Sequence, residues 1–368
     1  MSKDADVIVI GAGIVGAACA HALAQAGQRV LVLDDHRGGA TAAGMGHLVV
    51  MDDNPAELAL SHHSLEQWRG WVPHMPADCA WSACGTLWLA ANAPEMDAAL
   101  EKQARLQAYG VAAEMVSASA LQALEPVLRK DLTGALKVPG DGLVYAPNAA
   151  QWLLNQYPQA IQVRQVAAVD VEEPRVRLST GEWLKADAVV LASGIYATQI
   201  CPELPIRPKK GQLLITDRYP GTVHHQLVEL GYVTSAHHAQ GPSVAFNVQP
   251  RPTGQLLIGS SRQFDDTSVD LDPHMLARML QRAQHYLPGI GDLNAIRCWT
   301  GLRAATPDSL PILGAHPQRP HLWLAVGHEG LGITTAPGSA QILAALMTGA
   351  TPPLDPAPYS ATRFAELS

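Results

Sequence analysis

Apolar residues run without interruption over Val7–Ile10, give way to closely spaced glycines, resume as a small-residue stretch as far as Ala26, and return as a second run at residues 30–33. That pattern predicts a buried strand, a glycine turn, a helix and a second strand, the opening of a βαβ unit. Apolar and polar residues at helical spacing predict helices over residues 57–71 and 94–109, the second begun by a proline suited to a first turn, with the strand Thr86–Ala90 between them. The break Pro139-Gly140-Asp141-Gly142 marks a crossing between domains. A helix over residues 149–156, alternating strands as far as Leu178, a hairpin turn at residues 179–182 and an apolar strand over residues 188–192 follow. Strand character resumes at residues 212–216, 244–248 and 255–259, before the amphipathic helix Pro273–Tyr286. The strand Leu322–Val326 then runs into a glycine-rich turn and a last helix over residues 338–347.

A chain of 368 residues is long for one core, so the prior is two packed domains. Hydrophobic residues make up 48% and charged residues 16%, the balance of a globular enzyme rather than a disordered scaffold. A net charge of −8 gives no field to attract phosphate backbones, which argues against nucleic acid as a partner. The five cysteines form no CxxC pair and read as reduced thiols of a cytoplasmic protein, with no metal expected. No stretch reaches the ~18 apolar residues of a transmembrane segment.

The glycines carry the first chemistry. Gly11-Ala12-Gly13-Ile14-Val15-Gly16 closes a strand and opens a helix, and Asp34 ends the next strand. Gly11 suits a tight turn, Gly13 the approach of backbone to a pyrophosphate at the helix N-terminus, Gly16 close packing, and Asp34 the acceptance of ribose hydroxyls. The pattern predicts a dinucleotide site but leaves NAD and FAD both open. The small-residue run Ala40-Thr41-Ala42-Ala43-Gly44-Met45-Gly46 suits backbone passing a flat ring with a hydroxyl reaching phosphate.

Together with residues 186–194, Pro208-Lys209-Lys210-Gly211-Gln212, residues 299–314 and residues 327–337, these motifs resemble the D-amino acid oxidase superfamily, in particular its glycine oxidase and sarcosine oxidase branch. The resemblance extends over nearly the whole chain. It implies an α/β fold with an α+β substrate part: a discontinuous FAD-binding, Rossmann-like domain (1–50, 141–206, 300–368) interleaved with a β-sheet-based substrate domain (51–140, 207–299). FAD, rather than NAD, is the cofactor it implies. Thr41 would touch the pyrophosphate, with Ile14, Val15, Asp35 and Ala42 beside it, and Gly44, Met45 and Gly46 would pass the isoalloxazine. Val166, Ala192, Ser193 and Gly194 would flank the adenosine. The turn Gly327-His328-Glu329-Gly330-Leu331-Gly332-Ile333-Thr334 would serve the flavin with its amides.

Three departures stand out, the first being Asp34, where many relatives carry Glu and the carboxylate is kept. Asp35 replaces a basic residue of many relatives, and Gly301 stands where monomeric sarcosine oxidases carry the cysteine that bonds to flavin, so the FAD is expected to be non-covalent. Within Trp299-Thr300-Gly301-Leu302-Arg303, Arg303 matches the family arginine that pairs with the substrate carboxylate, a role suited to its planar fork. His47 is a candidate at the ring, Phe246 and Asn247 are candidates for the substrate wall, and Glu329 is a candidate for substrate contact. The implied reaction is oxidation of the C–N bond of a small amino acid or secondary amine by hydride transfer to flavin.

The wording of residues 40–53 looks most like β subunits of multi-subunit bacterial dehydrogenases acting on D-hydroxyproline, proline or opines. That likeness implies partner subunits carrying electrons onward. The Lys209-Lys210 pair is read either as a solvated charge or as the mark of an interface, or of a second, anionic cofactor such as a flavin shared between subunits. The alternatives are a stand-alone amino-acid oxidase producing hydrogen peroxide, an NAD-dependent dehydrogenase and a non-catalytic FAD-holding subunit.

Overall fold

The computed structural model describes residues 3–231 and 241–364. The strands Val7–Ile10 and Val30–Asp34 are the middle of a six-stranded sheet, flanked by Ala188–Leu191 and Leu322–Val326 on one side and Ile161–Gln165 on the other. All of these run parallel; the edge strand Ile312–Ala315 pairs antiparallel with Leu322–Val326. Both faces are covered, which is why these strands read as unbroken apolar runs. Val7, Val9, Val30, Val32 and Val190 pack with the helices Ile14–Gln25 and Gly332–Thr348. Ile8, Ile10, Leu31, Leu33, Val189 and Leu191 pack with Val171, Val176 and Leu184 of a three-stranded meander.

The second layer is an eight-stranded sheet in the order Ala295–Ala305, Arg207–Arg218, Gln255–Phe264, Ser243–Pro250, Gln226–Glu229, Thr86–Ala90, Gly134–Val138 and Glu114–Ser117. The helix Pro273–Tyr286 closes its far face through Met279, Ala283 and Tyr286, around Phe246, Val248 and Leu214. Among the described residues, no helix is long and apolar enough to cross a membrane.

The last helix begins at Gly332, six residues before the start read from the pattern, and carries Pro337 inside it. A proline there removes the N–H that the Ile333 carbonyl would accept. The Trp68 indole N–H stands in, donating at 3.1 Å to the carbonyls of Ile333 and Thr334. The helices over residues 57–71 and 94–109 begin slightly earlier than expected, as Pro55–Trp71 and Ala93–Ala108, because Asn54 and Asn92 cap them by accepting from the amides of Glu57 and Glu95.

Candidate active site

One cavity of about 620 Å³ runs from the glycine turn to the face of the eight-stranded sheet. At its first end the helix Ile14–Gln25 follows Gly13, which has no side chain to cap it, and carries no acid in its first turn, so its positive end favours an anion. A Cβ on Gly16 would lie 1.9 Å from the Gly11 carbonyl oxygen, so this glycine serves packing between turn and helix and does not line the cavity. Asp34 accepts from the amides of Ala12 and His36, each at 2.7 Å, which fixes its carboxylate at the rim. Thr41 Oγ1 accepts from the Ile14 amide at 2.9 Å, tying the small-residue segment to the helix start. Asp35 pairs with Arg37, whose guanidinium lies over Tyr196 and donates to Gln199 at 3.1 Å. Thus the acid that replaces a basic residue is neutralised by the arginine two positions on.

Ala42, Gly44, Met45, Gly46, Val166, Ala192, Ser193, Gly194, Gly327, Gly330, Leu331, Gly332 and Ile333 line the same cavity. Flavin adenine dinucleotide fits this lining: a helix start with no acidic residue in its first turn, a fixed rim carboxylate, and a buried Ser193 hydroxyl with no partner of its own. Thr334 lies outside the cavity lining; its hydroxyl donates to the His47 carbonyl at 2.9 Å and accepts from the Val49 amide. The His328 ring is turned to Ser339 Oγ at 3.1 Å, and burial pushes its pKa down to about 3.

The other end is built on three neighbouring strands, Ala295–Ala305, Arg207–Arg218 and Gln255–Phe264. Their register places Arg303 opposite Lys209, Lys209 opposite Phe264, and Gly301 opposite Gly211. Alternation along each strand then puts Gly301, Arg303, Gly211, Ser260 and Arg262 on the cavity face. The Arg303 guanidinium lies flat over Gly211, where a Cβ would come within 2.5 Å of Nη1, and donates at 3.2 Å to the Ser261 carbonyl. Burial lowers its pKa, against the opposing charge of Glu329. At Gly301 a Cβ would lie 2.4 Å from that of Ala43, so the small-residue segment leaves no room for a side chain there. Cys298 faces away, packing with the cluster around Phe246.

His47 sits in a cage of amides. Its Nδ1 lies 2.5 Å from Gln226 Oε1 and its Nε2 3.0 Å from Asn247 Nδ2, with Gln249 Nε2 within 2.9 Å of both ring nitrogens. Burial, together with the charges of Arg251 and Arg303, pushes its pKa down to about 4, so it is neutral at physiological pH. With Nδ1–H donating and Nε2 accepting, the ring orients Asn247. Asn247 Oδ1, at the cavity wall, is left without a partner.

Phe246 is not a substrate wall. It is fully buried on the opposite face of the sheet and stacked on Tyr286 at 4.5 Å, because neighbouring strand residues point to opposite faces. The Lys209-Lys210 pair is not solvated either. Lys209 pairs with Glu329, and Lys210 on the reverse face donates to Asp266 at 2.9 Å and Ser268 at 2.7 Å, so both charges are satisfied within the chain. Burial pushes the Glu329 carboxyl up, yet Lys209 and Arg262 hold it below the usual range. Glu329 also adopts a left-handed backbone with φ of 47°, which a non-glycine residue seldom takes, at the point where its side chain lines the cavity.

Sequence reading missed Arg262, Gln226, Gln249 and Glu57. Burial, then the neighbouring Asp53 charge, pushes the Glu57 carboxyl up to about 7. An arginine directly after the apolar and small-residue run 256–261 of the strand Gln255–Phe264 was the available signal, since charged residues are seldom buried unless they are used. One group could hold a metal among the described residues, Cys201, Glu203 and His316. Its members are already engaged: Arg319 donates to the Cys201 sulfur at 3.0 Å and His316 lies 3.1 Å from Glu203.

A parallel sheet with a glycine turn at its carboxyl edge, opening into a cavity that ends on an arginine-bearing antiparallel sheet, defines a two-layer dinucleotide-dependent oxidoreductase. Residues 6–346 match the FAD dependent oxidoreductase (DAO) family, and the chain belongs to that family. It is similar to the glycine oxidase of Geobacillus kaustophilus (strain HTA426), 26% identical over 99% of this chain and 98% of that protein. It is likewise similar to the D-amino acid dehydrogenase of Methylobacterium nodulans (strain LMG 21967 / CNCM I-2342 / ORS 2060), 28% identical over 97% of this chain and 99% of that protein. The crystal structure of glycine oxidase from Geobacillus kaustophilus shares the fold, with a TM-score of 0.87 at 24% identity over 99% of this chain and 100% of that one. The protein is thus an FAD-dependent oxidoreductase.

Proposed function

We propose that this enzyme oxidises the C–N bond of a small amino acid or secondary amine, such as a D-hydroxyproline, proline, opine or glycine-like substrate, to an imine. The observation that carries the reading is the Arg303 guanidinium, buried on the floor of the cavity that also holds the glycine-rich cofactor motifs. When bound, FAD supplies the hydride acceptor at N5. Arg303 holds the substrate carboxylate by two parallel, charge-assisted hydrogen bonds, so the substrate carbon is presented in one orientation. Asn247 Oδ1, fixed by His47, accepts an N–H of the substrate amine. His47 acts as a positioning residue. The names of the relatives, glycine oxidase and D-amino acid dehydrogenase, support the substrate class.

The packing of Gly301 on Ala43 supports a non-covalent flavin, to be tested by acid precipitation; flavin remaining with the denatured chain would overturn that point. The same chain is proposed to work as a subunit of a dehydrogenase complex. Support comes from exposed apolar residues beside the sheet-edge strand Ala295–Ala305, with Ile296 at 56% and Val269 at 76% exposure. The glycine oxidase relatives favour a second reading, direct oxidation by oxygen with release of hydrogen peroxide. The deciding experiment is anaerobic flavin bleaching against D-hydroxyproline, D-proline, glycine, sarcosine and opines. Bleaching by none of them would remove the amine-oxidising role, and rapid stoichiometric peroxide from the isolated chain would remove the subunit role.

A further inference from the structure

The chain builds an asparagine-capped helix start twice, and only one of the two is turned into the cavity. At the helix Ala93–Ala108, Asn92 accepts from the Glu95 amide and Glu95 Oε2 accepts in return from the Ala91 amide at 2.7 Å, on a half-buried side chain. At the helix Pro55–Trp71, Asn54 accepts from the Glu57 amide at 2.9 Å and Glu57 Oε1 accepts from the Asp53 amide at 3.2 Å. Here the glutamate is only 6% exposed and lines the cavity. Capping does not account for that burial, which deprives a carboxylate of its water. Among the described residues Glu57 forms no ion pair, and its Oε2 has no hydrogen-bond partner. The charges around it are engaged elsewhere: Lys102 with Asp52, Glu329 with Lys209, and Asp53 beside Arg262. Of the histidines at this end, His47 is held by amides at both ring nitrogens and His328 is turned to Ser339. Burial first, then the charges of Asp53 and Glu329, push the Glu57 carboxyl up to about 7, against the Asp53 amide and Lys102, so it exchanges a proton near physiological pH.

A bound amine makes a demand that such a group answers. Near neutral pH it arrives as an ammonium, since an alkyl ammonium titrates near about 10, and an ammonium nitrogen has no electron pair with which to form a C=N bond. We propose that Glu57 is the catalytic base of the cavity, taking up the proton that the substrate ammonium loses before its C–H bond breaks. This rests on the amine-oxidising reading above and gives a residue to a step which that reading leaves without one. One N–H bond breaks, its proton passes to a Glu57 carboxylate oxygen, and the nitrogen keeps the electron pair. The C–H bond beside the nitrogen then breaks with its own pair passing to FAD as hydride, and the nitrogen pair closes the C=N bond. Once the product has left, Glu57 returns its proton to water and the enzyme's electron acceptor reoxidises the flavin. The N–H that remains on the neutral amine is the one that Asn247 Oδ1 accepts. Glu57, rather than Glu329, takes this role because no cation holds its carboxylate ionised.

The test uses the FAD-loaded full-length protein and Glu57→Gln, which keeps the oxygen that the Asp53 amide needs. Anaerobic flavin reduction by whichever amine of the panel bleaches it is followed between about pH 6 and about pH 10. Wild-type kcat/KM should rise through about pH 7, as Glu57 ionises, and then level off. Glu57→Gln should be about a hundredfold slower near pH 8 and climb about tenfold per pH unit until the amine itself is neutral, so that the gap closes. Glu57→Asp should recover part of the wild-type profile. A constant ratio between the two profiles, or wild-type rates in Glu57→Gln, would overturn the assignment and leave amine oxidation standing. A second readout needs no oxidation: 2-aminoisobutyrate and pivalate differ by the ammonium, carry no hydrogen on Cα, and are titrated against the flavin absorbance. Above about pH 7 the wild type should lose about tenfold per pH unit in affinity for pivalate and keep its affinity for 2-aminoisobutyrate, whereas in Glu57→Gln the two curves should run parallel. Parallel curves in the wild type would overturn the assignment. If no amine bleaches the flavin, the amine-oxidising reading fails, and this ligand pair alone decides whether Glu57 meets an ammonium; binding of neither would then end both readings.

Discussion

At the dinucleotide end of the cavity the protein offers backbone; at the substrate end it offers side chains. The first end is made of the Gly11 to Gly16 turn, the segment from Ala40 to Gly46 and the turn around Gly330, stretches of glycine and small residues that bring backbone to the cavity wall. The second is made of Arg303, Arg262, Glu329, Asn247 and the His47 cage, carried by strands and turns far apart in sequence. Cofactor binding is therefore vulnerable to added bulk anywhere in a short stretch. Substrate binding is vulnerable to lost or displaced charge. A Gly13→Leu variant should show the largest effect: its side chain would press on Thr41 Oγ1, 3.0 Å from the Cβ position, and block approach to the helix start. A loss of FAD affinity beyond about a hundredfold, near 2.8 kcal/mol, is expected. The purified protein should be colourless, with an unchanged circular dichroism spectrum. A yellow Gly13→Leu protein would break the contrast between the ends.

Arg303→Lys tests the other end. It should retain FAD and lose about a hundredfold in kcat/KM for flavin reduction, because an ammonium cannot reproduce the bidentate fork. Stopped-flow reduction measures this directly, and wild-type rates would remove Arg303 from the site.

The same contrast explains what could be read in advance. A backbone requirement writes glycine and small residues into one contiguous stretch, so Gly11, Gly13, Gly16, Asp34 and the Ala40 segment were visible without any tertiary structure. A side-chain site is assembled by register. Phe246 and Asn247 differ by one position, and only the pairing of Asn247 with Gly259 decides which of them faces the cavity. Arg262 reaches Arg303's neighbourhood across a strand more than forty residues away in sequence from either end of the hydrogen bond that defines it. The start of the last helix was hidden for a third reason: Pro337 reads locally as a break, and its rescue by Trp68 is a contact between residues 265 positions apart.

The amide cage around His47 sharpens the comparison through pH. In the folded protein this imidazole titrates near 4, and in an unfolded chain near 6.5. Between these values the unfolded state carries a proton that the folded state lacks, so the contribution is complete above about pH 6.5 and lost as pH falls toward 4. From about pH 7 to about pH 5 that loss amounts to about 2 kcal/mol. His328, held near 3, adds a loss of the same sign. In His47→Gln the drop in urea-derived stability over this interval should shrink by about 2 kcal/mol; an unaltered drop would place the neutral imidazole outside the stability of the site.

Gly211→Ala gives the smallest expected effect and bears most directly on the two modes of recognition. Gly211 belongs to the substrate end, yet it acts as the cofactor-end glycines do, by leaving a space. Its φ is not left-handed, so alanine brings no backbone strain, and the three atoms nearest the added methyl all belong to the Arg303 guanidinium, with Nη1 at 2.5 Å. A guanidinium is the far end of a flexible side chain and moves aside rather than unfolding the sheet. The displaced fork then loses its bond to the Ser261 carbonyl and its alignment with the carboxylate. The expected result is a loss of about tenfold in kcat/KM, near 1.4 kcal/mol, with flavin content and melting temperature close to wild type. Combined with Arg303→Lys, Gly211→Ala should add little, since both act through the same guanidinium. Additive losses in the double variant would show that Gly211 serves something other than Arg303.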